Sequence, residues 1–144
     1  MNNIADRLTD TVKSFVNTKS ANVNWEAVPF PGKWTNKEII GHLVDSAHIN
    51  LQRFVRCTYE GGFKLIYHQD EWVAAQHYKD ADAVDLLKLW ELVNWQIARV
   101  LNNYPTDRWQ ITCDNSREGT VYHTVEFLAK DYIAHLQHHL YQLS

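Results

Sequence analysis

Apolar residues recur along this chain at two periods, and the helical one dominates. Ile4, Leu8, Val12 and Phe15 are spaced three or four apart and predict a first helix over 3–18. Pro29, Pro31 and Gly32 gather in residues 28–34 and mark a loop. Thr35 and Glu38 then form a capping box, each side chain satisfying an orphan backbone N–H, so a second helix opens at Thr35. Its stripe is Ile39, Ile40, Leu43, Val44, Ala47, Leu51, Phe54 and Val55, and it stops at Gly61-Gly62 or slightly before. Residues 63–80 are mixed and aromatic-rich, with Phe63, Tyr67, Trp72 and Tyr78; they predict a long connection holding one short helix near 70–77. A third helix over 83–103 carries Leu86, Leu87, Trp90, Val93, Ile97, Val100 and Leu101 and ends before Pro105. The period then shortens to two. Trp109, Ile111 and Cys113 alternate, residues 114–119 are turn-like and Val121 follows, which predicts a small hairpin. A last helix over 124–142 turns Val125, Leu128, Tyr132, Leu136 and Leu140 inward. Four long helices with a long middle connection predict an all-α four-helix bundle, one domain over 1–144.

Composition supports that picture and narrows the function. Five glycines and three prolines in 144 residues leave few breakers, as long elements require. A hydrophobic fraction of 45% is enough for a packed core and excludes wholesale disorder. The net charge of −3, with 14 basic against 17 acidic residues and no basic block, argues against a nucleic-acid surface. No run of roughly 18 apolar residues predicts a membrane span. The start, MNNIADRLTD, lacks the basic and apolar runs of a signal peptide, so a cytoplasmic location is expected. In that setting Cys57 and Cys113 are expected to be reduced, free and not catalytic.

The unusual count is eight histidines, three of them in the last ten residues. A helix turns about 100° per residue, so positions four apart nearly eclipse. His135 and His139 therefore share a direction on the flank of the inward stripe, while His138 points well away from it. Two imidazoles at that spacing can chelate a divalent ion; the bland alternative is a hydrogen-bonded pair or a surface cluster with His138. The zincin pattern is absent, since Leu136 and Gln137 follow His135. A third ligand would come from His42, His48, His68, His77 or His123. On a helical wheel His42 falls off the apolar stripe, beside Ser46, Ile49 and Arg53. His48 and His77 read as surface residues, and His68 as either pocket-lining or exposed.

Trp34, Lys37-Glu38-Ile39-Ile40-Gly41-His42-Leu43, Asp45-Ser46 and Arg53-Phe54 together resemble the second-helix signature of the DinB-like superfamily. Gln69-Asp70-Glu71-Trp72-Val73 resembles its middle connection. Phe127-Leu128, Asp131-Tyr132 and His135-Leu136-Gln137-His138-His139 resemble its last helix. The resemblance runs from about Trp34 to the end. It implies a four-helix bundle, often dimeric, whose divalent metal is held by His42, His135 and His139. His68 departs from it, standing in a segment that relatives often make acidic. The resemblance further implies a small-molecule substrate and either of two chemistries, thiol transfer with a low-molecular-weight thiol or metal-dependent hydrolysis. It also implies a homodimer.

Three neutral imidazoles leave a coordination position open and the ion strongly Lewis-acidic, whether zinc or nickel. Asp45, nearly one turn after His42, is the candidate general base or partner of a ligand, against the alternative of a solvated helix residue. Tyr67, Asp70 and Trp72 are candidate pocket walls, with plain core as the alternative. Arg53 is expected in a surface salt bridge, with an anionic substrate group as its alternative partner. Two functional classes follow. One is a divalent-metal enzyme of transferase or hydrolase type; the other is a non-catalytic bundle whose metal is structural or absent.

Overall fold

A computed structural model describes residues 2–144. The chain runs α1 (Asn2–Ser14), α2 (Asn36–Arg56), α3 (Gln69–Gln76), α4 (Ala83–Asn102), β1 (Thr112–Asp114), β2 (Tyr122–Thr124) and α5 (Val125–Gln142). This is the expected four-helix bundle, with α3 as the short helix of the middle connection and β1–β2 as the hairpin. The first helix does not stay α-helical to 18: Phe15–Lys19 widens to a π-turn and Ser20–Asn22 tightens to 3-10. Hydroxyls take over carbonyls there, Thr18 Oγ1 donating to Ser14 O at 2.5 Å and Ser20 Oγ to Val16 O at 2.8 Å. The distorted turn lets Phe15 meet Trp90 edge-on, ring centroids 5.8 Å apart.

Local chemistry sets the boundaries of the helices that matter most. The capping box is complete: Thr35 Oγ1 accepts from Glu38 N at 3.1 Å and Glu38 Oε1 accepts from Thr35 N at 3.0 Å. α2 ends at Arg56, before Gly61-Gly62. α5 starts where Thr124 Oγ1 accepts from Phe127 N at 3.1 Å. In the hairpin Thr112 faces Thr124, Cys113 faces His123 and Asp114 faces Tyr122.

α2 is the axis of the molecule, packed against α3, α4 and α5, while α1 packs on α4 and α5. Of its 21 residues, 14 are buried, more than one stripe can account for. The apolar stripe meets the core of Leu8, Val12, Trp90, Ile97, Ile133 and Leu136. The opposite side, carrying His42, Asp45, Ser46 and Arg53, is equally buried. It is covered by Tyr67 and Tyr78 from the middle connection and by the histidines of α5. Val55, expected inward, is exposed: one residue past Phe54, the helical turn carries it to solvent. Gly41 makes room for the connection. A Cβ there would lie 2.2 Å from the Tyr78 ring, so a side chain at this position would push Tyr78 off the helix.

Candidate metal centre

His42 leaves α2, and His135 and His139 leave α5, toward one point. One ring nitrogen from each residue lies within 4.8 Å of the other two. The His42 ring centroid is 5.3 Å from that of His135 and 4.8 Å from that of His139. Trp34 and Tyr67 both pack on His42, at 5.0 and 5.5 Å between centroids, and restrict its ring.

Hydrogen bonds aim the nitrogens. His42 Nδ1 and Tyr67 Oη are 2.9 Å apart, and Tyr67 Oη lies 3.4 Å from the His42 carbonyl oxygen. With Tyr67 donating to that carbonyl, His42 donates through Nδ1 and its Nε2 carries the free lone pair. His42 Nε2 is buried and has no hydrogen-bond partner. On α5, His139 Nδ1–H donates to Gln142 Oε1 at 2.9 Å, which leaves His139 Nε2 as an acceptor. That atom lies 3.1 Å from His135 Nε2, so a proton held between them occupies the space of a cation.

The imidazoles are also held neutral. Burial, then the neighbouring His139 and His135, lowers the His42 pKa to about 3. Burial and His139 lower that of His135 to about 4. His139 is lowered as well, chiefly by burial, against the opposing hydrogen bond to Gln142. Neutral, preoriented nitrogens around a buried unpartnered lone pair are what a divalent ion requires. These three residues fit such an ion.

The other candidates fall elsewhere. His138 is exposed and touches the cluster only through Gln142, whose Nε2 donates to His138 Nε2 at 3.3 Å. His48, His68 and His77 are exposed, and His123 stacks on Phe127 with centroids 4.2 Å apart. Asp45 is not the solvated residue of the bland reading; it is fully buried. Its Oδ1 accepts from Tyr78 Oη at 2.5 Å and Gln76 Nε2 at 3.1 Å, and none of its hydrogen bonds goes to the three histidines. Burial raises its pKa to about 6, against those two hydrogen bonds. Arg53 makes no surface salt bridge. It is 6% exposed, held under the middle connection by its hydrogen bond to Leu65 O. Cys57 and Cys113 are both free and fully buried.

Two side chains gain roles that the sequence reading did not assign. Tyr67 is the hydrogen-bond partner of His42, and Gln142 orients His139. An amide three residues after a candidate ligand is the signal that would have found Gln142.

Two cavities reach the cluster. One, of about 170 Å³, is lined by His135 and Tyr67 and continues past Arg53. The other, of about 890 Å³, opens beside His139, Gln142, Trp34 and Asp70.

A four-helix bundle that converges three imidazoles on one point, with cavities beside two of them, defines the class of protein: a helical bundle with a candidate metal centre. A sequence model of the DinB superfamily matches residues 6–143, and the chain belongs to that superfamily. Among solved structures it is similar to YfiT from Bacillus subtilis, described as a probable metal-dependent hydrolase with an unusual four-helix bundle topology. The TM-score is 0.81 at 18% identity, over 99% of this chain and 81% of YfiT, a likeness of fold. No curated protein matches the chain significantly.

Proposed function

We propose that this protein is a divalent-metal-dependent enzyme acting on a small molecule, with His42, His135 and His139 as the ligands of one zinc or nickel ion. The carrying observation is the buried His42 Nε2, which has no partner and converges with the two α5 imidazoles. A buried polar atom left unsatisfied costs roughly 1–3 kcal/mol, a cost that a ligand removes. Bound there, the ion would supply Lewis acidity beside an open position, enough to bring the pKa of water to about 7.

The chain's own residues do the rest. Tyr67 and Gln142 fix the ring orientations of His42 and His139. Trp34 and Tyr67 pack on the His42 ring and hold its orientation. Burial, then the Asp45 and Asp70 carboxylates, raises the Tyr67 pKa, so its hydroxyl stays protonated and holds its bridging position. Asp45 thus acts as a positioning residue, bracing the connection through Tyr78 and Gln76.

Hydrolysis is the first reading, in keeping with the likeness to YfiT. Thiol transfer is the second, favoured by the two separate cavities that reach opposite members of the cluster, one for each of two substrates. The test is a screen of small esters, amides and phosphoesters with zinc- or nickel-loaded protein, run with water alone and then with a low-molecular-weight thiol. Turnover abolished by a chelator and restored by the metal supports the enzyme reading. Metal-loaded protein inert under both conditions overturns it.

A further inference from the structure

Arg53 stands out among the charged groups of the molecule. It is 6% exposed, yet none of the ion pairs among the described residues involves it. Its partners are neutral: Nη2 donates to Leu65 O at 2.6 Å and Nη1 to Asn50 Oδ1 at 3.3 Å. Its Nε is buried with no partner at all. A guanidinium does not escape this by losing its proton, because it stays charged at any ordinary pH. A buried cation without a counter-ion is destabilising, and a structural strut to Leu65 would need only a neutral donor.

The unpaired charge lines a cavity. The space of about 170 Å³ beside Arg53 is bounded by Tyr67, Arg117, Asp131 and His135. Two guanidiniums face one carboxylate there, so the lining is cationic on balance. His135 also lines it, and Tyr67 is bonded to His42. A small molecule lying in it spans from Arg53 to the three-histidine cluster.

We infer that this cavity binds an oxyanionic group, carboxylate or phosphate, of a small substrate, with Arg53 as the fixed anchor and Arg117 as the exposed second contact. An arginine fork pairs such a group in two parallel hydrogen bonds, and the Arg53 terminal nitrogens keep N–H donors beyond those given to Leu65 and Asn50. Anchored there, the substrate presents its other end at His135. The volume limits the anchored portion to a few heavy atoms.

This inference rests on the proposed function for what happens at His135, and the experiment separates the two. The full-length protein is titrated with succinate and, separately, with inorganic phosphate, followed by backbone amide NMR shifts, with metal content measured on the same samples. One saturable site is expected, shared by Asn50, Tyr67 and Arg117, for one of the two anions; which one distinguishes a carboxylate from a phosphate group. Arg53→Gln should weaken binding at least about tenfold, Arg117→Gln by less, and the remote Arg7→Gln not at all. His139→Ala, which would lose metal, should still bind the anion. Should Arg53→Gln fail to fold, Arg53→Lys and Arg117→Gln decide: weaker binding in either supports the anchor, and wild-type binding in both overturns it. Metal-loaded wild type that binds neither anion overturns this inference alone. Binding that survives Arg53→Gln but vanishes in His139→Ala puts the anion on the metal and overturns it too. Arginine-dependent binding by a protein that holds no metal leaves it standing while the metal reading falls.

Discussion

Along one side of α2, Ile40, Leu43, Val44 and Phe54 sink into the core and leave nothing unsatisfied. Along the other, His42, Asp45 and Arg53 are buried as deeply, and each keeps an atom without a partner: Nε2, Oδ2 and Nε. These are three of the five such side-chain atoms among the described residues, so the unmet polar groups gather on one face of one helix. The apolar face gains stability from burial in proportion to area. The polar face gains none by burial alone, since each unpartnered group there is a cost that folding by itself does not remove. The first face holds the fold and the second holds the site.

Substitutions on the two faces should therefore fail differently. The largest effect belongs to the apolar side. Phe54→Ala should lower unfolding free energy by about 3–5 kcal/mol and Leu43→Ala by about 2–5, read from urea denaturation, with metal binding intact in the folded fraction. Either change costing under about 1 kcal/mol would show that the apolar face does not hold the fold. Gly41→Ala lies at the seam. Its Cβ would clash with Tyr78, and overpacking of this kind costs about 1–3 kcal/mol. Displacing Tyr78 also removes a hydrogen bond that lowers the Asp45 pKa, so that pKa should climb above about 6 in an NMR titration. An unchanged Asp45 titration would show that Tyr78 does not govern it.

The polar face should show itself through pH. His42, His135 and His139 have folded pKa values below the ordinary value of about 6.5. Below that value the unfolded chain binds protons that the folded chain does not, so metal-free protein should lose stability as pH falls from about 6.5 toward 4. His42→Phe removes the most depressed of the three and should flatten that slope. Asp45, raised to about 6, works the other way over the same window, so the slope is read as the difference between wild type and His42→Phe; no difference would mean that His42 is not held neutral by the fold. The smallest effect is His138→Ala, an exposed change expected to alter stability by no more than about 0.5 kcal/mol.

The same contrast explains what sequence could reveal. Apolar periodicity located all four long helices, and alternation with a turn-like stretch located the hairpin, because those signals are local. The wheel also separated His135 and His139 from His138, since all three share one helix. It failed for the polar face of α2. A period of apolar residues assigns His42 and Arg53 to solvent, and the element that covers them, residues 63–80, has no period of its own. Only the resemblance to the DinB-like superfamily placed His42 with the α5 pair. Arg53 was misjudged on the same ground, a charge being read as a surface. Gln142 went unseen because its role depends on which nitrogen of His139 must stay free.

That His42, His135 and His139 act together on one ion is the core of the proposed function. Its most direct test is metal stoichiometry by elemental analysis, after stripping with a chelator and reloading with zinc or nickel. Wild type, His42→Ala, His135→Ala, His139→Ala and His138→Ala are compared at equal helicity. One ion per chain is expected in wild type and in His138→Ala, with a sharp loss in each of the other three. Wild-type metal content in His42→Ala, or loss in His138→Ala with retention in His135→Ala, would contradict it.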